Sequence, residues 1–95
     1  MIYLMFQKEI IGNIIIEDRE NVWVYGSYVL YENAKKFKEF FQALVNEDSF
    51  SFDESNFDKE FLKEDNWFLN INGNIVGITI PAIYFEDNFI SFRFR

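Results

Sequence analysis

One run of this chain carries a helical period, and almost everything around it carries a strand period. Phe37, Phe40, Phe41, Leu44 and Val45 fall at i, i+3, i+4, i+7 and i+8, with Ala34 one turn earlier. Residues 34–46 therefore predict an amphipathic helix with one apolar stripe. Asn33 stands where an N-cap would accept a bond from an orphan helix N–H. A lone helix among strands must lie on a sheet, because each has an apolar face to bury. Lys35, Lys36 and Lys38 oppose the helix dipole. That costs about a few tenths of a kcal/mol unless acids nearby in space answer them.

The strands follow from alternation and turn residues. Residues 2–11 and 14–17 read as a hairpin turning at Gly12-Asn13. In that register Ile2, Leu4, Phe6, Ile10 and Ile15 share the core side, and Lys8 faces Glu17. Residues 18–21 are polar and read as the next turn. Residues 22–31, VWVYGSYVLY, form a third strand that is apolar on both faces. Such a strand is expected to be central and covered on both sides. The alternative is that the face bearing Trp23, Tyr25 and Tyr31 binds a partner, since Trp and Tyr are enriched at interfaces.

Beyond the helix the chain turns acidic. Residues 47–65 hold Glu47, Asp48, Asp53, Glu54, Asp58, Glu60, Glu64 and Asp65 against Lys59 and Lys63, eight acids and two lysines for a net of −6. Phe50, Phe52, Phe57, Phe61 and Leu62 would pin this segment to the body. Ser55 or Asn56 would cap a short second helix, 56–64, with Phe57 and Phe61 one turn apart on its inner side. Residues 67–71 and 74–80 form a hairpin at Asn72-Gly73, with Trp67, Leu69, Val76 and Ile78 on one face. Residues 83–95 turn at Asp87-Asn88 and gather Ile83, Phe85, Ile90, Phe92 and Phe94. The inward parity changes between Ile80 and Ile83, which demands a bulge or bend at Pro81-Ala82. The expected fold is α+β: one domain, 1–95, with a single antiparallel sheet of about six strands. Its helix 34–46 packs on one face, a short helix 56–64 follows, and the order is βββα(α)βββ.

Composition narrows the chemistry. With no His and no Cys, imidazole or thiolate nucleophiles, thiol redox chemistry and zinc sites built on those ligands are excluded. The four glycines are isolated, so there is no phosphate-cradling loop. Carboxylate chemistry remains, with Asp53, Glu54 and Asp58 as the densest set, but no calcium-loop spacing surrounds them. No catalytic residue, cofactor or metal is expected, and the chain is read as a non-enzyme. A net charge of −7 opposes direct binding of nucleic acid or an anionic membrane and suits a basic partner; it also serves solubility. No apolar run reaches the roughly twenty residues a membrane span needs. The start, MIYLMFQKEI, lacks a basic region and a cleavage site and reads as a strand, not a signal peptide. Absence of Cys makes a reducing, cytoplasmic setting the default. Arg93 and Arg95 would form a small basic spot on the outer sheet face or pair with local carboxylates.

The run VWVYGSYVLYENAKKFKEFFQALVNED joins an aromatic strand, Trp23 to Ser27, through a short polar link to a helix bearing Phe37 and Phe41 and then to acids. In this it resembles small bacterial proteins of the immunity class, which neutralise toxins in interbacterial systems. The tail NWFLNINGNIVGITIPAIYFEDNFISFRFR is similar in kind. The resemblance implies a cytoplasmic module that inhibits a protein toxin by binding it. An acidic patch would steer onto a basic site, with aromatic anchors inside. The candidate partner-binding residues are Trp23, Tyr25, Tyr31, Glu47, Asp48, Asp53, Glu54 and Asp58. Two alternatives stay open. One is a phage-type inhibitor mimicking nucleic-acid charge. The other is a homodimeric domain joined through a sheet face or edge.

Overall fold

The computed structural model describes residues 1–45 and 54–95. It has seven strands: β1 (Ile2–Phe6), β2 (Glu9–Glu20), β3 (Trp23–Leu30), β4 (Trp67–Ile71), β5 (Asn74–Gly77), β6 (Ala82–Tyr84) and β7 (Phe89–Arg93). All pair antiparallel in one sheet, in the order β5-β4-β1-β2-β3-β7-β6. The α+β class and the single antiparallel sheet are as the sequence implies. The hairpin expected over residues 83–95 supplies two strands, β6 and β7, so the sheet has seven strands where about six were expected.

The break between β5 and β6 explains the parity change. β5 and β6 stand at opposite ends of the sheet order yet follow one another in the chain. Gly77 pairs with Phe68 of β4, and the Ile78 N–H donates to the Trp67 carbonyl at 3.1 Å. The same stretch then turns to the far side of the sheet. Ile78 bridges Phe94, the Arg95 N–H donates to the Gly77 carbonyl at 3.0 Å, and the Thr79 N–H donates to the Arg93 carbonyl at 2.9 Å. The sheet thus curls until its two ends meet around buried Ile78. Such closure leaves only short free edges. Pro81, with no N–H to give, sits in the break between β5 and β6.

The first hairpin departs from expectation. Its turn lies at Gln7-Lys8, where Gln7 takes φ +54°. β2 runs straight through Gly12-Asn13 as a twelve-residue strand. A bulge at Ile11 sits between the Leu4–Gly12 and Met5–Ile10 pairs, and a second at Glu17 sits between the Ile16–Gly26 and Asp18–Tyr25 pairs. The first bulge resets the parity: Ile11 and Ile14 are buried, whereas Ile10 and Ile15 face solvent. Lys8 stands in the turn and does not face Glu17. Gly12 is needed inside the strand because a Cβ there would lie 2.5 Å from the Val29 carbonyl oxygen.

The helical run begins as a 3-10 turn, Glu32–Phe37, and becomes α-helix α1 only over Lys38–Val45. Asn33 is not the cap. Its side-chain amide donates to the Ile10 carbonyl at 2.9 Å and to Glu9 at 3.1 Å, tying the turn to β2. Lys36 reaches the same Glu9 at 2.6 Å and Lys35 reaches Glu32 at 2.6 Å, so acids do answer two of the three lysines. The expected helix 56–64 is replaced by three short 3-10 turns, Glu54–Asn56, Lys59–Leu62 and Glu64–Asn66. Side chains take the carbonyls a helix would need. Trp67 Nε1 donates to Phe61 O at 2.9 Å, and Asn66 Nδ2 donates to Glu60 O at 2.8 Å.

The apolar stripe still finds the core. Phe37, Phe40 and Phe41 are fully buried with Trp67, Leu69 and Phe92, and Phe6 is buried beside them. Phe37 lies 4.9 Å from Phe6 and 4.7 Å from Phe61, centroid to centroid, in the tilted geometry aromatic quadrupoles favour. The second hairpin is as expected: Asn72 and Gly73 both take positive φ, and Gly73 N–H donates to Asn70 Oδ1 at 2.8 Å.

Candidate functional site

With α1 and the 3-10 turns on one side of the sheet, the other side faces solvent, and β3 decides what it presents. Val24, Tyr28 and Leu30 point to the core, which leaves Trp23, Tyr25, Ser27 and Val29 on the outer face, with Tyr31 following. Tyr25 and Ser27 are half-buried there, and the others are open to solvent. Trp23 is 42% exposed and Val29 57%, and Tyr31 is also exposed. The expectation of a strand covered on both faces is therefore overturned. β3 is apolar on both sides because one side is core and the other is open surface. Ile15 of β2 is 65% exposed and lies diagonal to Val29, since Ile15 pairs with Ser27 and Asn13 with Val29.

A second aromatic group continues the face toward β6. Tyr25 stacks on Phe89 with centroids 5.6 Å apart and planes at 25°, and Phe89 meets Tyr84, also at 5.6 Å. These three rings form a ladder across β3, β7 and β6. Arg93 lies 5.3 Å over the Trp23 ring, a cation–π contact. Tyr31 is held from the other side, its hydroxyl accepting from Asn13 Nδ2 at 3.0 Å.

Between the ladder and β2 lies a hollow of about 260 Å³ made by the second bulge. Gly26 permits it: the Ile15 carbonyl oxygen sits 2.1 Å from where a Cβ would stand, so β2 and β3 press together there. The extra residue, Glu17, together with Asp18 and Glu20, lines the hollow opposite Tyr25 and Phe89. Asp18 and Glu20 reach this face because they pair with Tyr25 and Trp23. Glu86 and Asp87 in the β6–β7 turn stand exposed just beyond Tyr84. Among the described residues none of these five carboxylates forms an ion pair.

The acids singled out by sequence fare differently. Glu47, Asp48 and Asp53 lie outside the described residues, and Glu54 is described by its backbone alone. Asp58 is on the helix side of the sheet, beside Lys35 and Phe40, and does not join Trp23, Tyr25 and Tyr31. Its carboxylate accepts from the Glu60 N–H at 2.9 Å and caps the Lys59–Leu62 turn. Asp65 pairs with Arg95 at 3.3 Å. Arg95 is thereby a clasp and not part of a basic spot. The acids that border the aromatic face were placed by sequence in a turn. The missed signal was that Asp18 and Glu20 alternate in phase with Trp23 and Tyr25 once β2 is carried through to Glu20.

Away from this face, the Lys36 ammonium and the Asn33 amide hold the Glu9 carboxyl below its ordinary value of 4.5, and burial raises the Tyr28 hydroxyl above 10.0. Neither group touches the open face. Among the described residues no cluster of three or more acids could hold a metal ion, and no helix is long and apolar enough to cross a membrane. No protein-family model, curated protein or solved structure matches the chain.

Proposed function

We propose that the chain is a small protein-binding module, an immunity-type inhibitor that neutralises a cognate toxin by binding it. It acts in the cytoplasm, by occlusion and not by catalysis. The observation that supports this reading is the open outer face of β2 and β3. Ile15, Val29 and Trp23 are exposed to water on the paired inner strands of the sheet, with Tyr31 just beyond the end of β3. Burying such apolar area under a partner favours association, and rigid aromatics make good anchors because little entropy is lost in fixing them. The chain's charge of −7 suits fast association with a basic partner.

A face rather than an edge is the favoured surface, since closure around Ile78 leaves free edges only on β5 and β6, of four and three residues. The test is co-expression with the product of the adjacent gene, followed by size-exclusion chromatography and calorimetry. A stoichiometric complex that abolishes the partner's toxicity is expected. A neighbour that is no toxin, with no complex formed, would overturn the reading. Light scattering of the isolated chain at high concentration is expected to give a monomer; a dimer would place a second copy on the face instead.

A further inference from the structure

We propose that the hollow at the Glu17 bulge receives a cationic side chain, an arginine or lysine, from the docking segment of a protein partner. The inference rests on the protein-binding reading and adds what the partner must present. Three features converge. Part of the lining is aromatic: the stacked rings of Tyr25 and Phe89 border the hollow, and aromatic rings attract a cation placed over them. The rest is anionic: Glu17, Asp18 and Glu20 also line the hollow, without an ion pair among the described residues. The volume, about 260 Å³, accommodates one long side chain and not a folded element.

The fold makes this arrangement deliberate. A regular β2 would alternate its acids between faces. The bulge inserts Glu17 and puts Asp18 opposite Tyr25, and bulges commonly re-aim a side chain in this way. The same face already shows the geometry on a small scale, with the Arg93 guanidinium 5.3 Å over Trp23. That cation belongs to the chain and occupies the neighbouring ring, leaving the Tyr25–Phe89 pair for a partner. Glu86 and Asp87, exposed at the far end of the ladder, extend the negative field along the route of approach. Charge complementarity thus selects a basic segment and disfavours a second copy of this acidic chain.

The test is a ¹⁵N–¹H NMR titration of the full chain with hexa-arginine peptide, with hexaglutamate as the counter-probe. The largest shifts are expected at the amides of Glu17, Asp18, Tyr25 and Phe89, with none from hexaglutamate. Phe89→Leu, which keeps every charge, is expected to weaken hexa-arginine about five-fold. The triple variant E17Q/D18N/E20Q, all exposed positions, is expected to weaken it further, and Glu64→Gln to leave it within two-fold. Should Phe89→Leu misfold, the triple variant carries the test alone. Shifts spread evenly over all acids, or centred on residues 54–65, would overturn the inference. So would loss of the effect of both the Phe89 and the triple variants. The same variants are then assayed against the cognate partner. A partner bound equally well by them refutes the cationic pocket while the inhibitor reading stands. Hexa-arginine seated at the bulge with no toxin partner found refutes the inhibitor reading while the pocket stands.

Discussion

Arg95→Ala is predicted to loosen the seam where the sheet closes. The guanidinium lies 5.3 Å over Phe68 and sits against Gly77, where a Cβ would come within 2.6 Å of it. Nε donates to the Ile78 carbonyl at 2.7 Å and Nη2 to the Trp67 carbonyl at 2.9 Å, the two backbone groups where the chain leaves β4 for β7. Hydrogen bonds from a charged donor contribute about 1.5–3 kcal/mol each. Water entering the vacated site recovers part of that, because the side chain is a quarter exposed. The pair with exposed Asp65 adds at most about 1 kcal/mol. The contributions share one side chain and do not sum fully, so the expected loss is about 2–4 kcal/mol. For a domain of this size that lowers Tm by roughly 10–25 °C. Arg95→Lys keeps the charge but not the fork and is expected to recover less than half. Urea unfolding followed by Trp fluorescence measures the loss, and hydrogen exchange at the Thr79 amide locates it. A change under about 0.5 kcal/mol, or unaltered protection at Thr79, would refute the clasp.

Gly26→Ala places a methyl 2.1 Å from the Ile15 carbonyl oxygen, which is backbone and cannot step aside; a loss of about 2–4 kcal/mol by urea unfolding is expected. Glu9→Gln removes the ion pair that ties Lys36 of the 3-10 turn to β2, and with both side chains over a third exposed the cost is screened to about 0.5–1 kcal/mol. Because the Glu9 pKa is lowered in the folded state, this stabilisation is full above the ordinary value of 4.5 and disappears as pH falls through the lowered value. Wild type and Glu9→Gln should therefore converge in stability under acid, as thermal unfolding against pH will show. Ile15→Lys and Val29→Lys fall on the exposed outer face and should shift stability by less than about 0.5 kcal/mol.

What the sequence made legible depended on how many long-range contacts each element needs. The Asn72-Gly73 hairpin and the alternation of Trp67, Leu69, Val76 and Ile78 are local, and both hold. The Phe37–Phe41 stripe finds the core as expected, although its first turn is 3-10. The β1–β2 register was not legible, because an isoleucine at 10, 11, 14, 15 and 16 gives every register an apolar face. The short helix gives way to 3-10 turns whose carbonyls are taken by side chains six residues on, Asn66 and Trp67, a competition that apolar periodicity does not register. The closure of the sheet left one trace, the parity change near Pro81, but nothing local says that the chain there changes partners. Trp23, Tyr25 and Tyr31 share the outer side of the sheet, as their alternation implies. Whether that face was open could not be read from β3, since core and exposed sides carry similar residues. The bordering acids were missed because Asp18 and Glu20 look like turn residues until β2 is known to be twelve residues long.

Calorimetric titration of Val29→Lys against the adjacent gene's product, beside the wild type, tests the central claim that the open β2–β3 face is the binding surface. A lysine there opposes both burial and a basic partner. An affinity at least tenfold weaker, about 1.4 kcal/mol, with an unchanged unfolding midpoint is predicted. Equal affinity for the two proteins would contradict it.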